Sequence, residues 1–284
     1  MSATPEARRR MRMLVPISRA DREGSSTELA MQVARTLDLE IHALFIEDEE
    51  LLALSDVSFV RDISPLGVAL PQLDRRRVER DLRREAVQAR RLLEDCAARE
   101  RITFGFDVKR GDPVAILASA MKRFDMVAVG PGFGCKSNVL SAGVFRRDLT
   151  IGGGRDLRLI PRVSALILEI SDTRAFLEVA LHLTENLGGV LELALTDKAK
   201  IAREVSQRLL ALGPTFPNVS VETVALGVGD RARWVRGGRR QLLILPLHKR
   251  QETIQSLSKV LAGLRGPALL FPSPNGERGE PLRD

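Results

Sequence analysis

The chain has 284 residues, enough for two domains of ordinary size, and its 44% apolar and 29% charged content excludes a disordered polymer. Ten Phe, one Trp and no Tyr leave the core to aliphatic side chains. The net charge of +7 invites anionic partners, but acids are interleaved with the arginines and no stacking aromatics accompany a basic segment, which disfavours nucleic acid.

Residues Met11 to Ile17 form an apolar run that predicts a buried strand. Ser25, Ser26 and Thr27 offer N-caps for a helix through Leu29, Val33 and Leu37. Ile41 to Ile46 is a second strand. Glu47 to Leu73, with Pro65, Gly67 and Pro71, predicts loops and a short helix. Asp74 to Arg101 is the clearest helix, with Val78, Leu82, Ala89, Leu92, Leu93 and Cys96 as its apolar stripe and a charged face of i,i+4 pairs. Ile102 to Val108 is a third strand. Gly111-Asp112-Pro113 is a turn that opens a helix running to about Lys122. Asp125 to Val129 is a fourth strand, followed by a glycine-rich loop.

A second cycle follows. It has strands at Ala165 to Ile170, Val190 to Leu195, Val219 to Leu226, Gln241 to Leu247 and Pro267 to Phe271. Helices are predicted at Thr173 to Leu187, from the Asp197 cap to Leu212, and at Gln251 to Leu264. Strands separated by helices imply parallel sheets covered on both faces. The recurrence, about 150 residues apart, implies an internal duplication. The predicted fold class is α/β, with two tandem open parallel-sheet domains: residues 1–161, residues 162–271 as a degenerate copy, and a disordered tail at 272–284.

Two segments of the first half, Met13 to Ser18 (MLVPIS) and Val108 to Gly130 (VKRGDPVAILASAMKRFDMVAVG), together with the loop from Gly130 to Gly143, resemble the universal stress protein family. Gly266 to Phe271 resembles that family's last strand. The resemblance implies a divergent tandem member with a five-stranded open parallel sheet. Ligands of such sheets bind beyond the carboxyl ends of the strands, where strand order reverses. That rule brings together Pro16, Ser18, Gly111 and the loop containing Gly130, Gly132, Gly134, Lys136, Ser137, Asn138 and Gly143.

ATP-binding members carry Gly-x-x-Gly, nine residues, then Gly-Ser/Thr, because glycine N–H groups can closely approach phosphate oxygens. Here the span from Gly130 to Gly143 fits, but Phe133 occupies the second glycine's place and Val144 replaces the closing hydroxyl. Ser18 stands where nucleotide-binding members place an Asp, and Asp21 comes three residues late. The glycines, Lys136 and Ser137 still suit an anion, so ATP or AMP is the cofactor expected. A tight turn using the glycines for positive φ remains the alternative. A phosphate loop of the GxxxxGK[ST] type is disfavoured, since Cys135 fills its sixth-position glycine. In the second half, Leu245-Pro246-Leu247-His248 has no glycine loop, although Ser171-Asp172 could supply the missing acid. That half is expected to be structural, completing an intramolecular pseudo-dimer.

His42, His182 and His248 are far apart, and no metal-ligand spacing or catalytic triad is readable. Cys96 and Cys135 form no CxxC pair, which suits a reducing compartment. Glu47 to Glu50 is expected to be a solvated loop or helix start. Trp234, among five arginines between Arg231 and Arg240, is expected to pack against the sheet. No apolar run approaches the ~18 residues that span a bilayer, so a cytoplasmic protein without membrane contact is expected. These observations favour a stress-response or regulatory protein acting by binding, with homo-oligomerisation open. A ligand-free adaptor and a nucleotide-hydrolysing enzyme are the alternatives.

Overall fold

The computed structural model describes residues 10–17, 25–56, 61–63, 69–72, 74–131, 133, 162–168, 173–187, 189–196, 199–227, 230, 234–235, 241–247 and 254–272. The first half contains β1 (Arg12–Ile17), α1 (Ser25–Leu37), β2 (Glu40–Asp48), α2 (Glu49–Ser55), β3 (Arg61–Ile63), β4 (Ala69–Gln72), α3 (Arg75–Glu100), β5 (Phe104–Gly111), α4 (Pro113–Ala120) and β6 (Met126–Val129). The second contains β7 (Arg162–Ile167), α5 (Thr173–Leu187), β8 (Val190–Thr196), α6 (Ala199–Leu212), β9 (Ser220–Leu226), β10 (Gln241–Leu247), α7 (Ile254–Gly263) and β11 (Ala268–Pro272).

Local chemistry sets the boundaries. The Asp74 carboxylate accepts a hydrogen bond from the Arg76 N–H at 3.2 Å and so starts α3, which ends at Arg101 in the left-handed region. Asp112 accepts from the Ala115 N–H at 2.7 Å and Pro113 opens α4, as the Gly-Asp-Pro turn predicts. Five of the six residues of β1 are buried, and all four of β6.

Nine strands form one sheet in the order β5-β2-β1-β6-β11-β10-β7-β8-β9. Two separate sheets are expected from the sequence; the two parallel arrays are instead fused. The seam is antiparallel, with Val127, Ala128 and Val129 of β6 opposite Leu270, Leu269 and Ala268 of β11. Every other pairing in this sheet is parallel. The two arrays therefore run in opposite directions, and the order β5-β2-β1-β6 is mirrored by β9-β8-β7-β10. The strand β11 lies between them. Among the described residues, this one fifth strand serves both halves.

Side-chain alternation divides the core into two layers. On one face, Met13, Val15 and Ile17 of β1 and Val163, Ala165 and Ile167 of β7 pack with α1, α3, α5 and α6. On the other, Leu14, Val127, Leu243 and Leu270 pack with α4 and α7. Both layers cross the seam, and α1 touches α5 while α4 touches α7.

Three local expectations are corrected. Residues 61–72 include an antiparallel two-stranded ribbon of β3 and β4 where only loops and a short helix are expected. The strand β5 runs on to Gly111 because it stays paired with β2 as far as Asp48. The strand β7 begins at Arg162, three residues early, because Arg162 pairs with Val190 of β8 and its guanidinium meets Glu192 and Glu222 of the neighbouring strands. The segment 134–161, in which the expected domain boundary lies, and residues 273–284 of the expected tail are outside the described residues.

Candidate functional site

The strand β1 has β2 on one side and β6 on the other, so strand order reverses between β1 and β6. On the β2 side, pairing continues to Ile17–Phe45. On the β6 side it ends at Leu14–Val127. Pro16 follows two residues later and has no N–H with which to extend a ladder. The paired register of β1 and β6 therefore stops short of their carboxyl ends, which is where the rule for open parallel sheets places a ligand. The second half repeats the device with the proline on the other strand. There, β7 and β10 pair only as far as Ala165–Ile244, and Pro246 stands beyond.

Of the residues expected at this site, Pro16 ends up buried on β1, Gly130 buried directly after β6, and Gly111 at the end of β5. Ser18, Gly132, Gly134, Lys136, Ser137, Asn138 and Gly143 lie outside the described residues. Gly111 has φ +145°, and a β-carbon there would stand 3.3 Å from Ile116 Cδ1. Its glycine identity is thus required by the backbone between β5 and α4. Phe133, which departs from the glycine pattern, is only 1% exposed and belongs to the core layer under α4 and α7. Its phenyl ring pins the chain after β6 to the sheet. The sequence marks Phe133 as an anomaly but cannot show that it is core.

The neighbouring carboxyl ends of β2 and β5 are acidic and heavily paired. Glu47 is buried, and Arg110 reaches its Oε2 with both Nε and Nη2 at 2.9 Å. The Nη1 of Arg110 lies 3.5 Å from Glu79 Oε1, Glu79 also faces Arg75, and Arg75 donates to Asp56. This chain of charges ties β2, β5, α3 and α2 together. Asp48 caps α2 by accepting from the Glu50 N–H at 2.9 Å. Burial pushes its pKa up, and repulsion from Glu50 and Asp112 adds to the rise, while backbone N–H groups oppose it. The acidic run at 47–50 is thus the start of α2, as expected, but its first half is a strand end with Glu47 buried against Arg110 and not a solvated loop. Among the described residues, no cluster of three or more His, Cys, Asp or Glu could hold a metal ion.

The other candidates have structural partners. His42 Nε2 lies 2.9 Å from Asp107 Oδ2, and its ring is 5.4 Å from that of Phe124. A β-carbon on Gly105 would sit 2.7 Å from His42 Nδ1, so the facing edge strand is bare there. His182 packs edge-on against Phe216 at 4.7 Å. Trp234 packs on the α4–α7 layer and donates from Nε1 to Glu192 Oε1 at 2.7 Å. The expected packing against the sheet holds. Cys96 is half-buried beside Arg99, whereas Cys135, His248, Ser171 and Asp172 are outside the described residues. Among the described residues, no helix is long and apolar enough to cross a membrane.

No family model matches the chain, and no curated protein matches its sequence. Among solved structures it is similar to the functionally unknown protein PA1789 from Pseudomonas aeruginosa PAO1, at 10% identity and a TM-score of 0.45 over 93% of both chains. It is also similar to the cytoplasmic domain of a prokaryotic cation chloride cotransporter, at 10% identity and a TM-score of 0.39 over 94% of this chain and 97% of that one. A universal stress protein from Archaeoglobus fulgidus DSM 4304 matches with a TM-score of 0.50 and 15% identity, over 94% of this chain and 98% of that chain. That last likeness is one of fold: the mostly parallel α/β sheet resembles the universal stress protein fold over nearly the whole chain.

Proposed function

We propose that the protein is a regulatory protein of universal stress type that acts by binding an adenine nucleotide beyond the carboxyl ends of β1 and β6. The supporting observation is the early end of the β1–β6 ladder at Leu14–Val127, with Pro16 on one side and Gly130 on the other. The capping carboxylates Asp48 and Asp112 repel phosphate from the β2–β5 side, so the anionic end of a ligand would lie over β1 and β6. Residues 1–161 would carry the ligand and residues 162–271 would complete the pseudo-dimer.

Isothermal titration with ATP and with AMP tests this, and saturable heat from one of them is expected. Silence with both would remove the ligand and leave the fold untouched. The burial of Phe133 favours a second reading, in which the loop after β6 is held by packing alone and the protein is an adaptor. Small molecules released from the purified, heat-denatured protein separate the two: an adenine nucleotide supports the first, and an empty spectrum the second.

A further inference from the structure

Charges that are mixed in the sequence of α3 are separated on its surface. One side of the helix buries Val78, Leu82, Ala86, Ala89, Leu93 and Ala97. At about 100° per residue, Arg76, Arg80, Arg83, Arg84, Arg90 and Arg91 fall within about 120° of arc away from that stripe. All six are exposed. The acids between Arg76 and Arg91 lie outside the arc: Glu79 turns toward Arg75 and Arg110, and Asp81 and Glu85 are half-buried on the flank. Glu94 lies within the same arc, one turn beyond Arg90, with its Oε2 3.8 Å from Arg90 Nε. Arg76, Arg83, Arg84 and Arg91 form no ion pair among the described residues.

We propose that this crest of α3 is a docking surface for the phosphate backbone of duplex nucleic acid, held without reading its sequence. Guanidinium groups pair with phosphate oxygens through charge-assisted, often bidentate hydrogen bonds. From Arg76 to Arg91 the crest is about 22 Å long at 1.5 Å per residue. A duplex presents one charge per about 1.7 Å of axis, so every arginine can find a phosphate. The other polyanions fit less well. Single strands are held by aromatic stacking, and α3 has no aromatic residue. A helix that lies on a membrane needs a free apolar stripe, and that of α3 is buried on the sheet. The core of a protein interface is depleted of charged residues, whereas this crest sets six arginines around one exposed large apolar side chain, Val87.

Fluorescence anisotropy of a short labelled duplex, between about 50 and 200 mM salt, tests the surface. The logarithm of the affinity should fall with the logarithm of salt at a slope of about −4 to −5, since each neutralised phosphate contributes about −0.9. Arg76→Gln/Arg80→Gln/Arg83→Gln/Arg84→Gln should flatten that slope by about 3 to 4. Lys200→Gln/Arg203→Gln on α6 should leave it unchanged. All three proteins should share one far-UV circular dichroism spectrum, because every replaced side chain is exposed. An unaltered slope in the quadruple variant overturns the proposal, as does absence of duplex binding at the lowest salt. Capture by vesicles rich in phosphatidylserine in place of the duplex also overturns it.

Discussion

Asp48 does two jobs that oppose each other. Its carboxylate caps α2, which favours the ionised form, while its burial at the end of β2, close to Glu50 and Asp112, disfavours it. Burial is the larger effect, so the folded pKa lies above the ordinary 3.8. As pH rises through 3.8 toward that raised value, the unfolded chain gives up its proton first. Folding is weakened across this window, and the deficit persists at higher pH. Asp48→Asn keeps a capping oxygen and carries no such proton. In urea titrations at a series of pH values, the stability of the variant relative to the native protein should rise from acid to neutral pH. A difference that stays constant or moves against the variant would show that the ionised carboxylate is not strained. Residue identities of this kind are partly legible in sequence. The turn at Gly111-Asp112-Pro113 and the helix start at Asp74 are legible, because those signals are local. The burial of Phe133 and the closeness of Gly105 to His42 depend on which strand lies alongside, so the sequence hides them.

At the scale of elements, the carboxyl end of β2 is fixed by a charge pair that joins it to β5. Glu47 is nearly sealed, with its side chain 10% exposed, whereas Arg110 is 40% exposed. Removing the arginine leaves a buried carboxylate without its bidentate partner. Arg110→Met should cost about 1–3 kcal/mol in chemical denaturation. Adding Glu47→Gln should recover part of that loss, because no unpaired charge then remains. A double variant as unstable as the sum of the two single ones would mean that the pair carries no coupling. The same region contains elements that the amino-acid sequence does not display. The long helix α3 declares itself by many turns of repeated apolar spacing. The strands β3 and β4 have three and four residues, too few to display alternation. The end of β5 is polar because the strand lies at the sheet edge, where Asp107, Lys109 and Arg110 face solvent, and exposure removed the apolar signal of a strand. The β1–β6 register likewise ends at Leu14–Val127, short of Pro16, a feature of pairing that the apolar run of β1 does not display.

The molecule as a whole is held together by its central strand. Two cycles of strands and helices are visible in the linear order of apolar runs. Their fusion is not, because the sequence of β11 specifies an apolar strand and not its neighbours. Pairing with β10 on one side and β6 on the other gives the fused sheet one continuous core, in which Met13 and Val15 share a layer with Val163, Ile167 and Leu269. Such continuity has a cooperative consequence. Trp234 is the chain's one tryptophan, and it sits in the second half with its indole bound to Glu192. Met13, in the first half, is fully buried, and Met13→Ala should cost about 2–5 kcal/mol. If the sheet unfolds as a unit, that loss must reach the tryptophan. The denaturation midpoint read from Trp234 fluorescence should then shift by the same amount as the midpoint read from far-UV circular dichroism. A fluorescence midpoint that ignores Met13→Ala, with a separate earlier phase in the dichroism, would mean that the β6–β11 seam does not couple the halves and that each array folds alone.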